Sequence, residues 1–152
     1  MATYNGRDAR VTVNASATEA IVTEIGNWTV DMGTDEIDTS AFGDGWGKSD
    51  VGMKKWSGSL TGFVDPKDTT GQAVVEAAFQ SGALLQDIRF YLAYSTTSGE
   101  DLIYLAPDTV ADSNAGLRVT AYKYSQDKAG VGTLSVTFSG SGPVKVTTST
   151  VA

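Results

Sequence analysis

None of the 152 residues is a cysteine or a histidine. The first absence excludes disulfides, thiol nucleophiles and thiolate-held metals, and the second removes the commonest general base and transition-metal ligand. Catalysis would fall to carboxylates, Ser, Thr, Tyr and Lys. No nucleophile elbow and no distinguishable pair of acids organises them, so neither an enzyme nor a cofactor is expected. Basic residues are few: 11 against 18 acidic, a net charge of −7 and a pI near 4.4. That balance excludes the basic footprint of a sequence-specific nucleic-acid binder. Long apolar runs are missing, so no membrane partner is expected. The opening Met1-Ala2-Thr3-Tyr4-Asn5-Gly6-Arg7 has no apolar segment of the signal-peptide kind, which points to synthesis in the cytoplasm.

What is present is a single domain's length of β-type patterning, 41% hydrophobic, with 17 Gly and only 3 Pro. Leu134, Val136 and Phe138 alternate with Thr133, Ser135, Thr137 and Ser139. Trp28, Val30 and Met32 alternate with Thr29 and Asp31, and Trp56, Leu60 and Val64 with Ser57, Ser59, Thr61 and Phe63. Ile88, Phe90, Leu92 and Tyr94 form another face, as do Leu117, Val119 and Ala121 opposite Arg118, Thr120, Tyr122 and Tyr124. Shorter strands are expected over 11–13, 21–25, 102–106 and 144–148. Turn residues such as Gly26-Asn27, Asp65-Pro66 and Ser141-Gly142-Pro143 separate them. The pattern predicts an antiparallel β-sandwich or barrel-like subunit.

One stretch switches period. Val74, Val75, Ala78 and Phe79 recur at helical spacing between Thr69-x-x-Gln72, which resembles a capping box, and Gly82, a left-handed stop. One flanking helix over about 70–82 follows, its apolar stripe needing a surface to pack on.

Residues 33–55 read as a long Gly-rich loop carrying Phe42, Trp46 and Met53, with its first part open to extending the preceding strand. Gly43-Asp44-Gly45-Trp46-Gly47-Lys48-Ser49 within it fails as a phosphate-binding loop, because Phe42 occupies the position of the first required glycine. The acids Asp31, Asp35, Glu36 and Asp38 lack calcium-loop spacing and read as a solvated strand. Large aromatics on such a loop mark an interaction surface.

Ile25-Gly-Asn-Trp-Thr-Val-Asp31, the Gly-rich loop and Lys55-Trp-Ser-Gly-Ser-Leu-Thr-Gly-Phe-Val-Asp65, followed by one helix and further strands, are similar to the major tail tube proteins of long-tailed bacteriophages. The resemblance implies a virion structural protein that self-assembles into stacked hexameric rings, forming a tube through which double-stranded DNA passes without specific binding. It implies tape-measure and tail-end proteins as partners, and a place in the virion tail after assembly in the host cytoplasm. Within a single 1–152 domain it makes 33–55 an inter-subunit loop, 1–9 an N-terminal arm and 144–152 a C-terminal strand or arm. Contacts between subunits or rings would then come from Phe42, Trp46, Met53, Tyr4 and Val146. The small, uncharged Ser57, Ser59, Thr61, Thr133, Ser135, Thr137 and Ser139 would face a lumen whose summed charge is negative or neutral. The alternative is a monomeric carbohydrate-binding sandwich in which Trp28, Trp46 or Trp56 stacks on sugar.

Overall fold

The computed structural model describes residues 10–13, 19–126, 128 and 130–151. The 1–9 arm and its Tyr4 lie outside the described residues. The chain runs β1 (Arg10–Val13), β2 (Ala20–Ile21), β3 (Ile25–Asp38), β4 (Ser49–Phe63), α1 (Gln72–Ser81), β5 (Arg89–Ala93), β6 (Asp101–Pro107), β7 (Gly116–Ser125), β8 (Thr133–Ser141) and β9 (Val144–Thr150). One sheet has the order β2-β1-β5-β6-β9 and the other β3-β4-β8-β7, with every strand pairing antiparallel.

The apolar halves of the alternating strands meet between the sheets, as the period of two requires. Val11, Leu60, Phe90, Leu134, Val136 and Phe138 are each almost wholly buried there. Phe90 bridges the layers, its ring 5.4 Å from that of Trp28 and 5.3 Å from that of Phe138. The helix covers β7: Val75 and Ala78 are buried, and Phe79 stacks on Tyr122 at 6.4 Å.

Several expectations need correction. Thr69 does not cap the helix. Asp68 does, accepting the N–H groups of Gly71 and Gln72 (both 2.9 Å) while also accepting the Thr23 N–H at 2.9 Å. Gln72 turns away from the helix end, donating to the Thr23 and Phe63 carbonyls and accepting the Asp65 N–H. Gly82 does end the helix in the left-handed region, φ 70°.

The strict alternation of 117–124 is also broken. A bulge between Val119 and Ala121 places Ala121 opposite Thr137 and Tyr122 opposite the core residue Val136, so Tyr122 packs inward. A second irregularity, between Tyr91 and Ala93, leaves Leu92 exposed and buries Ala93, so the 88–94 face is not continuous. Tyr91 is buried against the rings of Tyr94 and Tyr104. Residues 33–55 are not one loop: β3 runs on to Asp38 and β4 resumes at Ser49, leaving only 39–48 irregular. The strand expected from residue 144 does form: β9 pairs with β6 of its own chain from Val144 opposite Pro107 to Thr150 opposite Asp101.

Candidate assembly surfaces

Two surfaces fall outside the core's needs. The first is the outer face of the β3-β4-β8-β7 sheet. Pairing sets Ser57 opposite Ser139, Ser59 opposite Thr137, Thr61 opposite Ser135 and Phe63 opposite Thr133, so all seven expected hydroxyl residues share one face. All seven are half-buried or exposed, whereas Trp56, Leu60, Leu134, Val136 and Phe138 on the opposite face are buried. Cross-strand bonds tie the face together: the Thr29 and Ser59 hydroxyls lie 3.2 Å apart, and the Thr120 hydroxyl donates to the Thr137 carbonyl at 3.1 Å.

The same register extends the face to residues the sequence reading did not place on it. Asp31 is opposite Ser57 on β3, and Arg118 is opposite Ser139 on β7, giving one row Asp31, Ser57, Ser139, Arg118. Lys123 joins two rows along, opposite Ser135. The expectation of an uncharged face therefore holds for the seven hydroxyl positions and fails around them, at the edge strands and at Lys55, two residues before Ser57 on β4. β3 carries Asp31, Asp35, Glu36 and Asp38 with no basic residue, and β7 carries Arg118 and Lys123 with no acidic one. Strand order decides this, and strand order is not written in the local pattern.

The second surface is the arm formed where the β3–β4 hairpin continues past the sandwich. Its pairing runs to Asp38 opposite Ser49, and the Thr39 N–H donates to the Lys48 carbonyl (3.0 Å). The Ser40 hydroxyl accepts the Lys48 N–H at 2.7 Å, Asp44 accepts the Ala41 N–H at 2.7 Å, and Lys48 Nζ pairs with Asp44 at 3.2 Å. The N–H and hydroxyl of Ser40 hold the Asp38 carboxyl below the ordinary carboxylate range. Polar groups thus organise the tip, while its aromatics stay in solvent: Phe42 is fully exposed and Trp46 is 88% exposed. Met53 is also exposed, as are Ile37 and Val51, two apolar arm residues that polar neighbours conceal in the sequence. Met32, expected on the apolar face with Trp28 and Val30, is exposed because β3 leaves the sandwich there.

Val146 lies on β9, half exposed on the last strand of its sheet, and Tyr4 is outside the described residues. Trp28 and Trp56 are no sugar platform, since one packs on Phe90 and the other is buried with its Nε1–H bonded to the Gly142 carbonyl.

No family model and no curated protein matches the sequence. Solved structures do match the fold. A chain from the virion of a native gene transfer agent particle superposes with TM-score 0.68 and 13% identity, covering 94% of this chain and 98% of that one. The tail of the empty gene transfer agent particle, with C6 helical symmetry, gives the same values. The SPP1 tail tube gives 0.61 and 16%, over 97% of this chain and 79% of that one. The chain shares its fold with these virion and tail chains.

Proposed function

We propose that this chain is the structural subunit of a phage-type tail tube, a non-enzymatic protein whose copies close into six-membered rings that stack into a hollow conduit for double-stranded DNA. The observation that carries the reading is the polar sheet with two open, oppositely charged edges. Unpaired edges are a hazard for a monomer and a joint for a subunit.

Three successive antiparallel pairings separate β3 from β7, so the two edges run in opposite directions. Rotation about a ring axis preserves strand direction. The β7 edge of one copy therefore meets the β3 edge of the next antiparallel, and the sheets continue around the ring without a mismatch. Leu85 already pairs with Leu117, so the joint begins beyond that residue. Acidic β3 then lies beside basic β7, which offsets part of the charge that each edge would otherwise expose.

Closed in this way, the ring has Ser57, Ser59, Thr61, Thr133, Ser135, Thr137 and Ser139 on its inner wall. Small hydroxyls hydrate well and carry no charge. The Arg118 and Lys123 that share this face lie across the joint from the acids of the next copy's β3. Few unpaired cations therefore meet the phosphates, and DNA passes with little drag. The arm, with Phe42, Trp46 and Met53, reaches a neighbouring subunit or ring, and Val146 and the segment holding Tyr4 add contacts. A tape-measure protein inside and tail-end proteins at the tips complete the partners, placing the protein in the virion tail after assembly in the host cytoplasm.

Negative-stain microscopy of the purified protein at rising concentration tests the reading. Rings or hollow filaments support it, and a monodisperse monomer throughout refutes it.

A further inference from the structure

At the base of the arm, where β3 and β4 leave the sandwich, a groove of about 690 Å³ opens against the β8–β9 turn. Met32, Thr34, Lys54, Trp56 and Pro143 line it. The volume lies within the ~300–1,000 Å³ usual for ligand sites. Its floor is apolar and its rim cationic: Lys55 is paired with Asp35 at 2.8 Å, whereas Lys54 has no ion-pair partner among the described residues. The arm tip has the complementary character, with exposed Phe42 and Trp46 beside Asp38 and Asp50.

The tip cannot serve its own groove. Hydrogen bonding keeps the hairpin extended through Ser40 and Lys48, six residues beyond Thr34, which is roughly 20 Å of strand. We infer that the Phe42/Trp46 tip of one copy seats in the Met32–Trp56–Pro143 groove of another copy, with an acid of the tip meeting Lys54. This rests on the tube reading and adds the receptor surface. Knob and groove occupy different places on the chain, so the contact is heterologous and propagates from copy to copy. Burial of an aromatic anchor in a pocket is also where interface energy concentrates.

The absence of native cysteine makes a direct test available. Gly45→Cys and Thr34→Cys together leave Trp46, Phe42 and Lys54 intact, and a Cβ at Gly45 meets nothing within 4 Å. Mild oxidation of the assembled double variant should give a ladder of covalent multimers, with neither single variant producing it. In parallel, Trp46→Ala should raise the concentration needed for assembly by roughly tenfold or more. Tubes that form without a ladder, or that assemble undiminished with Trp46→Ala, overturn the contact while leaving the tube reading intact. Failure of the unmodified protein to assemble overturns both.

Discussion

The Trp56 indole occupies the space that a side chain at position 140 would need: a Cβ built on Gly140 would lie 2.0 Å from Trp56 Cε2. Gly140 follows Ser139 on β8, whose partner Ser57 follows Trp56 on β4, so the two residues face each other across the strand pair. The ring is then fixed by its Nε1–H to the Gly142 carbonyl at 2.9 Å and by edge contact with Phe138 at 6.2 Å. One glycine thus seats the aromatic residue that joins the sandwich to the base of the arm.

Gly140→Ala should therefore destabilise the fold, by about 1–3 kcal/mol as overpacked cores do. Denaturant unfolding followed by Trp fluorescence measures this. An unchanged midpoint would show that Trp56 has room to move.

Asp68 ties the helix start to the β2–β3 connection. Its burial raises the carboxyl pKa, but hydrogen bonds from Thr23, Gln72 and Gly71 outweigh that and leave it below the usual 3.8. A lowered folded pKa means the unfolded chain binds the proton more readily. The stabilisation is thus present above pH ~4 and is lost as pH falls through the folded value. Asp68→Ala should cost roughly 1–3 kcal/mol at neutral pH, through a lost cap and unpaired N–H groups. Stability of the variant should depend less on pH below 4, as thermal melts at pH 3 and pH 7 would reveal.

Tyr122 behaves oppositely. Burial foremost, then Tyr124 and the charges of Glu76 and Asp68, push its phenol well above 10. The unfolded chain then loses the proton first, so stability falls as pH rises past 10. Burial also raises the Tyr91 phenol, so absorbance titration at 295 nm should show two tyrosines resisting ionisation, and Tyr122→Phe should remove one of the two.

The arm is expected to matter for assembly alone. Replacing residues 39–48 with Asn-Gly, a turn that closes hairpins well, should leave a folded monomer unable to form tubes. Sedimentation and melting of the same sample check both halves. Normal tubes from this variant would remove the arm from the joint.

Legibility in the sequence followed burial. Leu134, Val136 and Phe138 bury one strand face and expose Ser135 and Thr137 on the other, so their period is visible and the polar residues of β4 and β8 are each legible as one face of a strand. The arm has no core beneath either face, so no period of two marks its pairing, and only its first part is legible as a continuation of β3. The β7 bulge was invisible because one extra residue reverses every later side chain, carrying Tyr122 inward. Thr69 imitated a cap beside Asp68, and only the tertiary partner Thr23 distinguishes them. The charged edges needed strand order, which non-local pairing alone supplies.

Electron cryo-microscopy of the assembled protein tests the central claim most directly. It should show a hollow tube of sixfold rings, with β3 of each copy beside β7 of the next and the row from Asp31 to Arg118 on the inner wall. A monomer at every concentration, or a filament whose inner wall is built from the β2-β1-β5-β6-β9 sheet, would contradict it.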